Sequence, residues 1–316
     1  MVVENSSGPS RTLSMLESGG FYVYCPSVCF EVTDEDAGDF LQSQFTNELR
    51  PFDSGRASYG LWLDLKAKVI GDGVVLCHGA EQFSIISEGS DAAILRAHLE
   101  RHIIADDVSI ATFERGPVFE LPGAVCGALG LAMPALGRFE ASEYGCVWHV
   151  LESHYQLMTD SESAADRLRE RLIAVGCFEL SASARGLQRI AAGRPLVPDE
   201  IGPKDLPGEG ELECDAISFK KGCYLGQEVV ARMHNIGQAQ RRLFVVEGEG
   251  CLPTLPLPVF IENSKLVGEV RTAYVQGGGW RGVALLKRRF VDSGDLLRAE
   301  GMDVSVVRAL REVTAL

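Results

Sequence analysis

"KKGCYLGQE" occupies residues 220–228 and places one thiol between two lysines and an aromatic ring. Only Tyr224 and Leu225 can anchor this stretch to a core, so it packs poorly for a segment of a globular protein. Nearby cations lower the pKa of a cysteine, and glycines allow a tight turn that exposes it. Two interpretations follow: Cys223 is a reactive thiol served by the cation of Lys221, or it is a half-buried structural cysteine whose lysines point to water.

The composition of the whole chain is that of an ordinary globular protein. Its 316 residues are 46% hydrophobic and 23% charged, and they suffice for two or three domains. The net charge of −14 disfavours duplex nucleic acid as a partner, so an anionic ligand needs a local basic site. No apolar run reaches the roughly 18 residues of a membrane span, and residues 1–20 lack the pattern of a secretory signal. We therefore expect a cytoplasmic protein without a membrane partner.

The nine cysteines also favour a cytoplasmic protein. Their number is odd, they form no C-x-x-C pair, and no Cys/His cluster has the spacing of a zinc site. We expect free thiols in a reducing compartment and no metal site.

Strands followed by helices, repeated twice, predict an α+β fold rather than a doubly wound parallel sheet. Short alternating segments split by Gly, Pro, Asn and Asp predict a small antiparallel barrel after residue 240. The expected organisation is a flexible arm (1–20), a first α+β domain (21–115), a second α+β domain that ends in the opening motif (116–240), and a C-terminal β-barrel (241–316).

Several local features are predicted as well. "TDEDAGDFLQSQFTNEL" reads as a helix capped by Thr33 or Asp34, with a buried stripe at Ala37, Phe40, Leu41 and Phe45. "SDAAILRAHLERHII" reads as a helix capped by Ser90 or Asp91. Turns are expected at Lys66-Ala67 and at Gly71-Asp72-Gly73, and residues 197–215, rich in Pro, Gly and acid, are expected to form an ordered surface loop.

The opening motif closely resembles a family pattern. Lys221, Gly222, Cys223, Tyr224, Gly226, Gln227 and Glu228 match the K-G-C-Y-x-G-Q-E core of the YgfZ-type folate-binding proteins, which are relatives of the glycine-cleavage T-protein, an aminomethyltransferase. Weaker similarity covers roughly residues 25–310, with Ser43 and Ala67 at positions where the family usually has glycine. The resemblance implies a three-domain ring with tetrahydrofolate, or a one-carbon derivative of it, in its central hole. It also implies a role in making or maintaining iron–sulfur enzymes, including some that modify tRNA.

A folate needs a carboxylate for its pterin edge, flat apolar faces for its rings and cations for its glutamate tail. Glu143 resembles the T-protein glutamate for the pterin edge, or is a solvated glutamate at a strand start. Asp72 lies where T-proteins carry a catalytic aspartate, or is part of a plain hairpin turn. Arg189 resembles an arginine that lines the folate hole, or lies on a surface helical face.

Further candidate folate contacts lie at the first helix and in the motif. Gln44, Thr46 and Asn47 follow the first helix, where they can reach a ligand or only cap the helix. Tyr224, Gln227 and Glu228 complete the set from the motif. His234 can pair with Cys223 or lie on the surface. The basic strip of Arg232, Arg241 and Arg242 can meet a polyglutamate tail, a tRNA or a protein, or pair with the acidic residues 199–215.

The favoured function is that of a tetrahydrofolate-binding accessory protein for iron–sulfur cluster assembly or repair, with iron–sulfur client proteins as partners and Cys223 as its reactive thiol. The alternative is a folate-dependent aminomethyltransferase that uses Asp72. A scaffold without chemistry and a demethylase are further options, although the chain has no G-x-G-x-x-G for the flavin that demethylases usually need.

Overall fold

The computed structural model describes residues 19–151, 154–237, 239–261 and 265–311. Of the predicted arm, residues 1–20, the first 18 residues lie outside the described ranges. The described ranges contain seventeen strands: β1 Gly20–Tyr24, β2 Val28–Thr33, β3 Arg56–Leu63, β4 Val69–Gly79, β5 Gln82–Ser87, β6 Ser109–Thr112, β7 Val118–Pro122, β8 Arg138–Ser142, β9 Gly145–Leu151, β10 His154–Thr159, β11 Phe178–Glu179, β12 Arg241–Glu249, β13 Leu257–Ile261, β14 Lys265–Gln276, β15 Gly279–Lys287, β16 Leu297–Ala299 and β17 Met302–Ala309. They also contain eight α-helices: α1 Ala37–Gln44, α2 Ala92–His102, α3 Gly123–Leu129, α4 Glu162–Ala174, α5 Ala182–Ala191, α6 Glu213–Ala216, α7 Gln227–Ile236 and α8 Arg288–Asp292.

Eleven strands form one large sheet in the order β11-β1-β7-β10-β9-β8-β3-β4-β5-β2-β6. The pairing of β1 with β11 is parallel and the other pairings are antiparallel. This sheet with its helices confirms the predicted α+β class. The order does not follow the chain, because β1 from the start of the predicted domain 21–115 pairs with β7 and β11 of the predicted domain 116–240. The domain boundaries themselves remain predictions.

Two pairs of helices cover the sheet. Phe40 and Leu41 of α1 pack with Leu95 and Leu99 of α2 in one apolar core. A second core joins α3 and α4 to strands β1, β7, β9 and β10. These are amphipathic helices, and burial of their apolar stripes against the sheet stabilises both layers.

The helix predictions are right in type and partly wrong in capping. The stripe of Ala37, Phe40, Leu41 and Phe45 is buried as predicted. The helix begins at Ala37, however, and its N-cap position is Asp36, which makes no side-chain capping bond, so the expected caps at Thr33 and Asp34 are wrong. At α2 the carboxylate of Asp91 accepts the N–H of Ile94, which confirms the predicted cap.

One of the two predicted turns is wrong. The chain turns at Lys66-Ala67, where Asp64 Oδ1 accepts the N–H groups of Lys66 and Lys68 at 2.8 Å. Gly71-Asp72-Gly73 instead lies inside β4. A Cβ at Gly73 would stand 2.7 Å from the carbonyl oxygen of Ile86, so this glycine permits close approach of β5 rather than a reversal of the chain.

Six strands close into the predicted barrel in the order β12-β15-β14-β13-β16-β17, and β17 returns to β12. Gly186 lets α5 pack closely against the barrel, because a Cβ there would stand 2.2 Å from the ring of Tyr274 in β14. Residues 197–215 contact both the sheet and the barrel, and the prediction of a surface loop is wrong for Glu200 and Asp205. Glu200 is 0% exposed and Asp205 is 1% exposed, because both pair with arginines.

Candidate functional site

A pocket lies where the two halves of the large sheet meet α5, and we call it the central pocket. Its volume is about 110 Å³. Strands β1, β3, β4, β7, β9 and β10 supply its aromatic, acidic and amide side chains, and α5 with the chain after it supplies three arginines. The lining includes Tyr24, Tyr59, Asp72, Glu88, Glu120, Trp148, Gln156, Arg185, Arg189 and Arg194.

Asp72 lies in this pocket with its carboxylate bound by hydroxyl groups. Tyr59 donates its phenolic proton to Asp72 Oδ2 at 2.8 Å, and Ser90 accepts the N–H of Asp72 at 2.9 Å. Burial raises the pKa of Asp72 from 3.8 to about 6, although the hydrogen bond from Tyr59 opposes this shift. A carboxyl group with such a pKa can both accept and release a proton near neutral pH.

Arginines and acids cross the pocket in a chain of ion pairs. Arg185 binds Glu88 at 2.6 Å and Glu120 at 3.2 Å, and Arg194 binds Glu120 at 3.4 Å. Burial raises the pKa of Glu120, but Arg185 and Arg194 more than offset it, so its pKa is lowered and the carboxylate stays charged.

Another part of the lining carries aromatic rings. Trp148 donates its indole N–H to Gln156 Oε1 at 2.6 Å, and the amide of Gln156 donates to the hydroxyl of Tyr24 at 3.0 Å. These bonds hold two aromatic rings and an amide in place, which suits a planar ligand with polar edges.

The sequence predicted only part of this pocket. Arg189 lines it, but the residue is 4% exposed and Glu200 binds its guanidinium at 2.8 Å, so the interpretation as a surface arginine is wrong. Glu120 and Arg185 were missed. Two signals point to them: Glu120 is the one charge in the apolar run "PVFELP", and Arg185 precedes Arg189 by one helical turn.

Glu143 does not line the central pocket, and its contact with a pterin stays a prediction. It is exposed at the turn between β8 and β9 and pairs with Arg171 at 2.7 Å. The position follows from the short β8–β9 hairpin, in which Ser142 pairs with Gly145.

Thr46 and Asn47 connect secondary-structure elements. Thr46 is 0% exposed, donates to the carbonyl of Ala216 at 2.7 Å and accepts the N–H of Leu61 at 2.8 Å. The amide of Asn47 donates to the carbonyls of Tyr59 and Asp215. Both side chains thus join the end of α1 to β3 and α6, and neither lines the central pocket.

The Cys223 loop, residues 220–226, lies over the end of α1. Cys223 is exposed, whereas Lys221 and Tyr224 on either side of it are each 6% exposed. The N–H of Leu225 donates to the carbonyl of Ser43 at 3.0 Å. Cys223 lines a shallow depression with Gln44, Tyr224, Gln227 and Glu228, and it does not line the central pocket.

The ammonium group of Lys221 is bound by main-chain carbonyls. It donates to the carbonyls of Gln42, Phe45 and Asn47 at 2.6–2.8 Å. Burial lowers its pKa to about 8, so at pH 7 it remains charged with three protons to donate. Lys221 therefore ties the loop to the end of α1, and its hydrogen bonds go to the backbone rather than to the thiol.

The remaining predicted groups do not assemble around Cys223. His234 is exposed and stacks on Phe219 with ring centroids 4.1 Å apart. Arg241 pairs with Asp205 and Glu209, and Arg242 pairs with Glu211, so these two arginines pair with the acidic segment as the second interpretation proposed.

In the part of the chain that the structure describes, no three His, Cys, Asp or Glu side chains come together as metal ligands. Within the same ranges, no helix combines the length and apolarity needed to cross a bilayer.

The chain is similar in sequence to a known domain family and to known proteins. The GCVT N-terminal domain family matches residues 27–123. The tRNA-modifying protein YgfZ of Sodalis glossinidius (strain morsitans) is 26% identical over 226 residues, which cover 69% of this chain and 68% of that protein. The mitochondrial iron-sulfur cluster assembly factor IBA57 of Mus musculus is 28% identical over 285 residues, which cover 81% of this chain and 74% of that protein.

A solved structure extends the comparison to the whole fold. The glycine cleavage system aminomethyltransferase T from Bartonella henselae matches with a TM-score of 0.75 at 15% identity. The match covers 94% of this chain and 87% of that chain. It confirms the predicted fold class.

Proposed function

Since this chain is a YgfZ-type relative of the glycine-cleavage T-protein superfamily, we propose that it acts in iron–sulfur cluster assembly or repair, and thereby supports iron–sulfur enzymes that modify tRNA. In this proposal the protein is cytoplasmic, binds tetrahydrofolate or a one-carbon derivative in the central pocket, and presents Cys223 as its reactive thiol. The names of the relatives support the process, and the residues of this chain support the two sites.

The observation that carries the thiol assignment is the anchoring of its loop. Burying the charge of a lysine costs free energy, and in this chain the buried Lys221 lies two residues before the exposed Cys223. Cys25, Cys214 and Cys251 are also exposed, but no buried lysine is adjacent to them in sequence. A thiol held at the surface by buried neighbours is preorganised to meet a partner.

The central pocket offers the groups that a reduced folate needs. Trp148, Tyr24 and Tyr59 supply flat faces, Asp72 supplies a polarised carboxyl group, and the arginines supply cations for an anionic tail. Its volume of about 110 Å³ is below the roughly 300 Å³ at which sites for drug-sized ligands begin. Binding a whole folate therefore requires the central pocket to widen.

The central pocket and the depression at Cys223 share no lining residue, so we assign them separate partners. A client protein reaches Cys223 from outside, while the small molecule enters the central pocket. The net charge of −14 and the pairing of Arg241 and Arg242 argue against duplex nucleic acid as the partner.

Complementation tests the role of the thiol. Cells that lack their own relative of this protein receive the wild-type chain, Cys223→Ala or Cys251→Ala, and the activity of an iron–sulfur enzyme is measured. We expect the wild type and Cys251→Ala to restore activity and Cys223→Ala to fail at normal protein levels. Full rescue by Cys223→Ala contradicts the thiol assignment, and failure of the wild type contradicts the iron–sulfur role itself.

Tetrahydrofolate titration under anaerobic conditions tests the pocket. Asp72→Asn removes a charged hydrogen-bond acceptor, so we expect affinity to fall about tenfold. Cys223→Ala leaves the pocket intact and should bind like the wild type. No saturable binding by the wild type, or equal losses in both variants, contradicts the folate site.

Asp72 also favours a second candidate function, a folate-dependent aminomethyltransferase. Its raised pKa and its place in the central pocket suit proton transfer at a bound folate. The test supplies an aminomethylated lipoyl carrier protein and tetrahydrofolate and measures released ammonia. Turnover that Asp72→Asn abolishes supports this candidate, and no turnover by the wild type rules it out.

A further inference from the structure

A second cavity lies between α7, the turn at Pro207–Glu209 and the start of the barrel. Its volume is about 670 Å³, within the range of sites for drug-sized ligands. We call it the α7 cavity, and Leu206, Cys214, Val229, Met233, Arg242 and Arg288 are the lining residues on which its chemistry depends. It shares no lining residue with the central pocket.

One wall of the α7 cavity is apolar. Val229 and Met233 are four residues apart on α7 and therefore lie on one face of the helix. Leu206 lines the cavity too. All three side chains are only half-buried, so a ligand that covered them would remove apolar surface from water.

Another part of the lining is cationic. The guanidinium of Arg288 makes no hydrogen bond or ion pair with residues in the described ranges, although Arg288 is half-buried. Arg242 pairs with Glu211 at 2.7 Å, but its Nε–H is buried and has no acceptor among the described residues. In a chain with a net charge of −14, an arginine without an ion-pair partner among the described residues is available to bind an anion.

The acids of the cavity do not cancel this charge. Glu211 is already paired with Arg242. Burial raises the pKa of Glu213, which weakens its repulsion of an anion.

We infer that the α7 cavity is a ligand site for a small molecule with an aromatic or apolar body and one carboxylate-like anionic group. The anion meets the guanidinium of Arg288, because planar guanidinium groups pair well with planar carboxylates. The body covers Leu206, Val229 and Met233. This site goes beyond the proposed function, which uses neither this cavity nor its arginines.

Fluorescence titration with 8-anilinonaphthalene-1-sulfonate, an aromatic body with one anionic group, tests the site in the full-length protein. We expect one saturable site, at least tenfold weaker binding to Arg288→Gln and to Met233→Trp, which fills the cavity, and wild-type binding to Arg289→Gln. Arg289 is the matched control because it is the next residue on α8, is exposed and does not line the cavity. Unchanged binding to both cavity variants, or displacement of the probe by tetrahydrofolate, overturns the inference.

Cysteine alkylation gives a second readout that does not depend on a variant. Cys214 is exposed and lines the cavity, whereas Cys251 is exposed elsewhere. The bound probe should slow alkylation of Cys214 at least threefold and leave the rate at Cys251 unchanged, as measured by peptide mass spectrometry. Equal rates at Cys214 with and without the probe contradict binding in the α7 cavity.

Discussion

Lys221 carries a charge that a protein interior disfavours, and three main-chain carbonyls compensate for it. The same residue is adjacent to Cys223 in sequence, which is why the sequence suggested an electrostatic role. Adjacent residues in an extended or turning chain often point in different directions, so neighbourhood in sequence did not predict the partner of the ammonium group. The depth of Lys221 is a property of tertiary packing that no local pattern contains.

Replacing Lys221 by Met should destabilise the protein by about 3 kcal/mol, because three buried carbonyls lose their donor. Urea unfolding measures the loss. Lys220→Met is the control, since Lys220 is exposed and a surface change costs within about 0.5 kcal/mol. Equal stabilities of the two variants would show that the three hydrogen bonds contribute nothing.

Asp72 predicts a pH dependence of stability. Its pKa is about 6 in the folded state against 3.8 for the ordinary group, so between these values the folded state binds more protons than the unfolded state. The stabilising contribution is therefore complete below about pH 4 and is lost as the pH rises through 6. Asp72→Asn should be more stable than the wild type by about 3 kcal/mol at pH 8 and equal to it at pH 4. A constant difference across this range in thermal or urea unfolding would refute the shift.

The sequence predicted only some of the residues that line the central pocket. Asp72 and Arg189 were placed near the folate hole by resemblance, and both line the central pocket. Glu143 was placed there by the same reasoning and lies in an exposed ion pair instead. A short motif match fixes the residue type but not the length of the neighbouring hairpin, and here that hairpin sets where the carboxylate points.

At the scale of elements, the turn into α7 depends on one of the two glycines in the motif. Gly226 has φ +83 at the N-cap of α7, and a Cβ there would stand 2.8 Å from the carbonyl oxygen of Asp64. Gly222 has no neighbour within 4 Å of such a Cβ. From the sequence, Gly222 and Gly226 are both predicted to form the turn, because the motif does not show what packs against each of them.

Gly226→Ala should cost about 2 kcal/mol or more, since it combines a left-handed backbone with a steric clash. Gly222→Ala should change stability by less than about 1 kcal/mol. The alkylation rate of Cys223 and the urea midpoint are the two measurements. If the Ala variants behave alike, the turn into α7 is not what holds the Cys223 loop.

Periodicity predicted most helices and strands correctly because apolar stripes must face a core. It failed at Gly71-Asp72-Gly73, where the glycines fit a turn and a tightly packed strand equally well. Contacts with β5 and Ser90 decide between the two, and both of these follow β4 in sequence.

At the scale of the whole molecule, a buried ion pair joins the sheet to the barrel. Arg189 of α5 binds Glu200, and Thr272 of β14 donates its hydroxyl proton to the same carboxylate. Arg271 of β14 also binds Asp205. The acid-rich segment thus serves as an internal connector, a role that its composition concealed because acidic, Pro-rich segments are usually exposed.

Arg189→Met should destabilise the protein by about 3–5 kcal/mol, because it leaves Glu200 charged and 0% exposed. The double variant Arg189→Met/Glu200→Met should recover at least about 1 kcal/mol of that loss, since it removes the uncompensated charge. Urea unfolding of the two single variants and the double variant closes the cycle. A double variant that loses the sum of both single effects would show that the two residues are not coupled.

The interleaved strand order has a consequence for how the protein is made. A ribosome releases the chain from its start, so β1 emerges long before its neighbours β7 and β11. Until then, two edges of an apolar strand remain open to mispairing or to another nascent chain. The same holds for β12, which waits for β17 to close the barrel. Chaperones shield such open edges during translation, so we expect this protein to fold more efficiently in their presence.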